Sequence, residues 1–143
     1  MKLAVVGGGS TYTPELVDGL ARLSFGVTEL VLADPDAGRL SVVGPFAARI
    51  MGRYGHPAKV TWTADLDAAV DGAAAVLLQL RVGGQATRYR DETWPLEYGC
   101  IGQETTGAGG FAKALRTVPV VLDVAERIRA RALPDAWIID FTN

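Results

Sequence analysis

Apolar and polar residues fall in blocks along this chain, and the period changes from block to block. Residues 3–6 are a continuous apolar run, as in a strand covered on both faces. After a glycine-rich break, Leu16, Val17, Leu20 and Leu23 recur at helical spacing, and residues 24–26 close that helix. Residues 28–33 predict a second strand. Residues 37–54 predict a helix with Leu40, Val43, Phe46 and Ile50 on one side and a kink at Gly44-Pro45. Residues 59–63 alternate as a short strand, and residues 65–70 predict a short helix entered through a capping Asp65. The most apolar run, residues 73–80, predicts a central strand beside the first. Residues 81–110 predict a long structured loop. A helix then begins at residues 111–116, is interrupted or restarted at Pro119 and continues over 120–132, before a last buried strand at 137–141. Strands alternating with helices predict an α/β fold, a mostly parallel sheet with helices on both faces.

The break after the first strand narrows this. Gly7-Gly8-Gly9-Ser10-Thr11 runs into Thr13-Pro14-Glu15, where Thr13 suits an N-cap and Pro14 the first helical position. Gly7 permits the tight turn, Gly9 lets a ligand approach the backbone, and Ser10 and Thr11 add hydroxyls at the positive end of a helix. A pyrophosphate fits such a place. Asp34 follows the second strand, where an acidic residue of a doubly wound, Rossmann-like sheet bonds the adenosine ribose hydroxyls and disfavours the extra phosphate of NADP. The competing reading of Asp34 is a simple helix cap before Pro35. Tyr12 occupies the third glycine position of the general G-x-G-x-x-G pattern.

Composition limits the alternatives. The chain has 143 residues, 49% of them hydrophobic, and a net charge of -2, which predicts one domain able to bury a core and gives no basic excess for nucleic acid. The N-terminus enters a strand directly, so the expectation is no signal peptide, no membrane span and a cytoplasmic protein. A single cysteine, Cys100, allows no internal disulfide and no multi-cysteine zinc site, and His56 is also alone.

Within residues 81–110, Arg88 and Arg90 suit a phosphate or carboxylate, or equally a solvated helix face beside Asp91 and Glu92. Glu104 lies in Gly102-Gln103-Glu104-Thr105-Thr106-Gly107, a polar run that packing alone does not demand, and a ligand role is the better reading there. Asn143, after the last strand, reads either as a turn former or as a residue reaching the ligand crevice at the strand ends.

Taken together, the glycine turn, Arg81-Val82-Gly83-Gly84 with Arg88, the Gly102–Gly107 run and Phe141-Thr142-Asn143 resemble glycoside hydrolase family 4, in order and over the whole chain. The run Phe111-Ala112-Lys113-Ala114-Leu115-Arg116-Thr117 is most similar to the family's 6-phospho-β-glucosidase branch. The resemblance implies an NAD- and divalent-metal-dependent enzyme, with Mn2+ as the expected metal, that hydrolyses phosphorylated β-glucosides or disaccharides by oxidation at sugar C3, elimination, water addition and re-reduction. This family is an exception to the two-carboxylate glycosidases. The resemblance assigns Gly7, Gly9, Ser10, Thr11 and Asp34 to the dinucleotide, Arg88 to the sugar phosphate, and Glu104 and Asn143 to sugar hydroxyls. It also implies a homo-oligomer.

The family's metal-binding cysteine and histidine lie beyond the equivalent of Asn143, and Cys100 and His56 do not match them. No metal ligand is therefore expected in residues 1–143, which read as an N-terminal cofactor domain of a longer protein, inactive by itself. Cys100 reads as a packing residue and His56 as a loop residue before Pro57. Two other classes stay open: a lactate- or malate-dehydrogenase-like domain, and a non-catalytic NAD-binding module.

Overall fold

The structure is a computed structural model that describes residues 1–142; Asn143, one of the candidate ligand residues, lies outside the described residues. Along the chain come β1 (Lys2–Val6), α1 (Thr13–Arg22), β2 (Glu29–Ala33), α2 (Ala37–Arg53), β3 (Lys59–Thr63), α3 (Leu66–Val70), β4 (Ala75–Leu78), α4 (Gly84–Thr93), a 3-10 turn (Trp94–Tyr98), α5 (Gly107–Arg131) and β5 (Trp137–Asp140). Two compact units form: Met1–Leu80 with Arg127–Phe141, and Arg81–Glu126 with Thr142.

The first unit holds one sheet in the order β3-β2-β1-β4-β5, with every neighbouring pair parallel. The apolar run expected beside the first strand does lie there, with Leu3 opposite Ala75 and Val6 opposite Leu78. Side-chain alternation sends Leu3, Val5, Leu30, Leu32, Ala75 and Leu77 to one face, against Val17 and Ala21 of α1 and Leu40, Ala47 and Met51 of α2. On the opposite face Val31 and Ala33 meet Ala69 of α3. Both faces are thus covered by helices, as a parallel sheet requires, and the order of connection reverses between β1 and β4. The α3 cap is as expected, Asp65 accepting from the Ala68 amide.

Several local expectations are corrected. Leu23 and Phe46, placed on core faces by periodicity, are exposed; the guanidinium of Arg49 stacks 5.3 Å from the Phe46 ring. Helix α2 runs unbroken through Gly44-Pro45, in keeping with the helix expected there, and a Cβ at Gly44 would enter the Trp62 ring, so close packing on β3 is what fixes that glycine. β5 is an edge strand exposed at all four positions, with Trp137 73% accessible, where a buried strand was expected.

In the second unit, the expected loop contains α4 and the 3-10 turn. Helix α5 is continuous through Pro119 and begins four residues before the expected start. Proline removes one amide donor and crowds the carbonyl four residues back, at about 3 kcal/mol in a helix interior. Pro119 is on the exposed side, while Gly109, Lys113, Thr117, Val124 and Ile128 are buried at helical spacing on either side of it. Cys100 is exposed, its Sγ 3.8 Å from the Tyr98 carbonyl, and does not pack. Among the described residues no helix is long and apolar enough to cross a membrane.

Candidate functional site

The first candidate site is the turn after β1. Its shape comes from hydrogen bonds within the protein. The amides of Gly7 and Gly8 both donate to the Ala33 carbonyl at 2.8 and 2.9 Å, and the Ser10 amide donates to Gly7 at 3.0 Å. Gly7 adopts φ +87°, and a Cβ there would lie 2.6 Å from the Gln79 carbonyl oxygen. The turn is buttressed from below by a chain of side-chain bonds. Gln79 Nε2 donates to the Gly7 carbonyl (3.1 Å) and to the Thr13 hydroxyl (2.6 Å), and that hydroxyl donates to the Gly8 carbonyl (2.9 Å).

Thr13 is therefore not the N-cap. It is the first residue of α1 and fully buried; Tyr12 holds the cap position without a side-chain bond, and Pro14 is second in the helix. Gln79, which braces the candidate site, was missed in the sequence. Its signal was a lone polar side chain in an otherwise apolar strand run.

Asp34 is held in the same turn. Its Oδ2 accepts from the Gly9 amide at 3.0 Å and its Oδ1 from the Asp36 amide at 2.9 Å. The cap of α2 is Asp36, which accepts from the Arg39 amide, so the simple-cap reading of Asp34 falls away. A Cβ at Gly9 would strike the Asp34 carboxylate at 2.9 Å. Gly9 thus admits the carboxylate beneath it, and its amide is already spent. What the turn keeps for a ligand is at Ser10 and Thr11. The Ser10 hydroxyl accepts from the Tyr12 amide and can still donate. The exposed Thr11 makes no hydrogen bond among the described residues.

The second candidate site is in the second unit. Glu104 is buried, 8% accessible, and its Oε2 is held by Arg81 Nη1 at 2.6 Å and Arg88 Nε at 3.3 Å. Arg88 Nε also pairs with Glu92 at 2.8 Å. Arg88, Glu92 and residues 102–105 line a cavity of about 410 Å³. Glycines bring these segments together. A Cβ at Gly102 would collide with the Glu92 carbonyl, and one at Gly109 with the carbonyls of Asp91 and Gln103. Asp91, 5% accessible, is balanced by Arg116 Nη2 at 2.6 Å, and Arg116 Nε donates to the Val82 carbonyl at 3.0 Å.

The Glu104 carboxyl is pulled two ways. Burial raises its pKa, but the Arg81 hydrogen bond and the charges of Arg81, Arg88 and Lys113 outweigh burial and leave it below the ordinary glutamate range. Its Oε1 makes no hydrogen bond among the described residues, so an ionised, oriented acceptor is available to a ligand hydroxyl. Because the folded pKa is lowered, the stabilisation is present at neutral pH and is lost as pH falls through the glutamate range and then the folded pKa. We expect Glu104→Gln to reduce stability at about pH 7 and the difference from wild type to shrink steadily as pH is lowered below the ordinary glutamate range, closing once the folded carboxylate is itself protonated. Urea unfolding at neutral and successively lower pH checks this; a difference that stays constant would contradict it.

Arg81 was legible only as part of a glycine-rich turn, and its grip on Glu104 depends on a long-range contact that spacing does not reveal. Among the described residues, no three His, Cys, Asp or Glu side chains are grouped to hold a metal ion. His56 lies in the loop between α2 and β3, bonded to Phe25 and Ala58 backbone atoms, and serves that loop.

Residues 2–143 match the profile of the family 4 glycosyl hydrolases. The chain is 41% identical over 147 residues to the 6-phospho-beta-glucosidase of Escherichia coli (strain K12), covering 100% of this chain and 32% of that protein. The solved structure of the 6-phospho-beta glucosidase from Thermotoga maritima with manganese, NAD+ and glucose-6-phosphate superposes with a TM-score of 0.92 at 41% identity, over 100% of this chain and 34% of that one. A malate dehydrogenase from Salinibacter ruber shares the fold alone, with a TM-score of 0.67 at 18% identity. The chain spans about a third of the length of the curated relatives it matches. With its sequence matched from end to end and its fold superposed on solved members, the chain belongs to the family 4 glycosyl hydrolases.

Proposed function

We propose that this chain is the dinucleotide-binding part of an NAD- and divalent-metal-dependent 6-phospho-β-glucosidase, and that residues 1–143 alone do not hydrolyse a glycoside. The observation that carries the reading is the glycine turn whose Gly9 amide is fixed by Asp34, while Ser10 and Thr11 keep unspent polar groups at the start of α1. The relatives add support, since the Thermotoga maritima structure is of a 6-phospho-beta glucosidase with manganese, NAD+ and glucose-6-phosphate.

In this reading the Thr11 amide and the Ser10 and Thr11 hydroxyls bind the pyrophosphate at the positive end of α1. Gly7 and Gly9 shape the approach. Asp34 keeps one lone pair on each oxygen for the ribose hydroxyls. When bound, NAD supplies a hydride acceptor for sugar C3. Arg88, at the cavity wall, meets the sugar phosphate, Glu104 Oε1 accepts from a sugar hydroxyl, and Asn143 is assigned to sugar hydroxyls by resemblance alone. The described residues offer no metal-ligand group, so no step is assigned to a metal within this chain. The whole protein is proposed as a cytoplasmic homo-oligomer acting on phosphorylated β-glucosides. An exposed, unpaired Cys100 suits a reducing compartment, and the exposed apolar residues of β5 suit further contacts.

Calorimetric titration of the chain with NAD+ and NADP+ tests the cofactor reading. NAD+ should bind in preference. Asp34→Asn should weaken NAD+ binding by about 1 to 3 kcal/mol through lost charged hydrogen bonds, and should narrow the preference over NADP+. An unchanged ratio of the two affinities would remove Asp34 from the ribose site.

A further inference from the structure

One arginine of the first unit stands beside the glycine turn without a role in holding it. Arg39 is the third residue of α2, and its amide donates to the capping Asp36 at 3.0 Å. Both ends of its side chain are placed. At the near end, a Cβ on Gly9 would lie 2.9 Å from Arg39 Cβ and 2.9 Å from Asp34 Oδ2, so the arginine stem and the Asp34 carboxylate meet over the same glycine. At the far end, Arg39 Nε lies 3.5 Å from Asp36 Oδ2, and the Asp36 amide in turn donates to Asp34 Oδ1 at 2.9 Å. Asp34, Gly9, Arg39 and Asp36 thus form one cluster at the start of α2.

The guanidinium is not committed within that cluster. A guanidinium carries five N–H donors, and among the described residues none of those of Arg39 makes a hydrogen bond. Its pair with Asp36 is loose: both side chains are more than half exposed, and such a pair adds little to stability. What separates Arg39 from an ordinary surface charge is its neighbour. Asp34 is the residue assigned to the adenosine ribose hydroxyls, and the 2′-phosphate of NADP+ takes the place of one of those hydroxyls. A dianion held there meets the negative Asp34, and next to it a cation whose planar fork suits two phosphate oxygens.

We propose that Arg39 is a second specificity-determining residue at the adenosine end: it offsets the repulsion that Asp34 exerts on a 2′-phosphate, so that the chain prefers NAD+ and still takes NADP+. The inference rests on the reading of Asp34 as the ribose residue and deepens it. Asp34 sets the direction of the preference, and Arg39 limits its size. Asp36 competes with the phosphate for the guanidinium, but only through the loose exposed pair. NAD+ has no charged group at the 2′ position to draw the guanidinium away from Asp36, so Arg39 contributes little to its binding.

The test is calorimetric titration of this chain and its Arg39→Gln and Arg39→Lys variants with NAD+ and NADP+. Adenosine 5′-monophosphate and adenosine 2′,5′-bisphosphate are titrated alongside, to isolate the adenosine end. Arg39→Gln removes the charge and suits the helix start, because a glutamine three residues after a capping aspartate completes a capping box. Urea unfolding at neutral pH should show both variants as stable as wild type. Arg39→Gln should weaken NADP+ and the bisphosphate about tenfold and leave NAD+ and the monophosphate within about twofold. Arg39→Lys, which keeps the charge without the fork, should fall between. Equal weakening of NAD+ and NADP+ would put Arg39 on a part common to both, and unchanged affinity for both would leave it a surface charge; either overturns the proposal. The cofactor reading is judged separately. If wild type binds none of the four ligands, that reading fails and the inference falls with it. If NAD+ binds and is weakened by Asp34→Asn while the Arg39 variants do not discriminate, the inference alone fails.

Discussion

Replacing Arg116 by methionine should cost about 3 to 5 kcal/mol, because the Asp91 carboxylate would remain buried without its partner. That is a large share of the roughly 5 to 15 kcal/mol by which a domain is stable. The Asp91 carboxylate is largely shut off from water: the residue is 5% accessible, and its backbone carbonyl lies against Gly109. Arg116 also donates to the Val82 carbonyl, which would lose that bond. The double replacement Asp91→Leu with Arg116→Met should recover most of the loss, since a buried ion pair exchanged for apolar residues is often neutral or better. Urea unfolding followed through Trp94, whose ring meets Tyr98 edge-on at 5.9 Å within the same unit, reads the effect locally. A single replacement costing under about 1 kcal/mol, the scale of a surface pair, would show that the pair is hydrated in solution.

Gly7→Ala should strongly destabilise the first unit. Two penalties add there. A left-handed backbone costs a residue with a Cβ about 1 to 2 kcal/mol. The new methyl would also sit 2.6 Å from the Gln79 carbonyl oxygen, an overpacking of about 1 to 3 kcal/mol. The expected total is about 2 to 5 kcal/mol. Gly55→Ala is the matched control: it has φ +65° but open space around it, so only the backbone penalty applies. Equal losses at the two sites would mean that β1 and β4 move apart easily and that the contact with Gln79 is soft.

The sheet was readable from sequence because its signal is local. An apolar run such as residues 73–80, bounded by glycine turns, reads as a strand covered on both sides, and the glycine turn with Asp34 marks the carboxyl end of the sheet, where the candidate site lies. Helical periodicity was less reliable at its margins. Leu23 and Phe46 have the right spacing but lie past the edge of the core that Val17, Leu40 and Met51 reach. Pro119 reads as a break in any window too short to include both ends of the stripe from Gly109 to Ile128. The second unit was hardest to read. Glu104 could be singled out by its neighbours in sequence, but Arg81 is 23 residues away, and the approach of the first turn of α5 to residues 103–105 appears only in the fold. Long-range charge balance leaves no periodic trace in a sequence.

The bonded turn after β1 also bears on how fast and how cheaply the proposed dinucleotide would be captured. Gly7, Gly8, Gly9 and Ser10 have their amides engaged before any ligand arrives, and Gln79 with Thr13 braces the two carbonyls from beneath. Little chain freedom is left to surrender on binding, so the ordering cost that a mobile loop would pay is small. Capture then needs no folding step ahead of it, and differences in affinity among dinucleotides should show up in how long each stays bound.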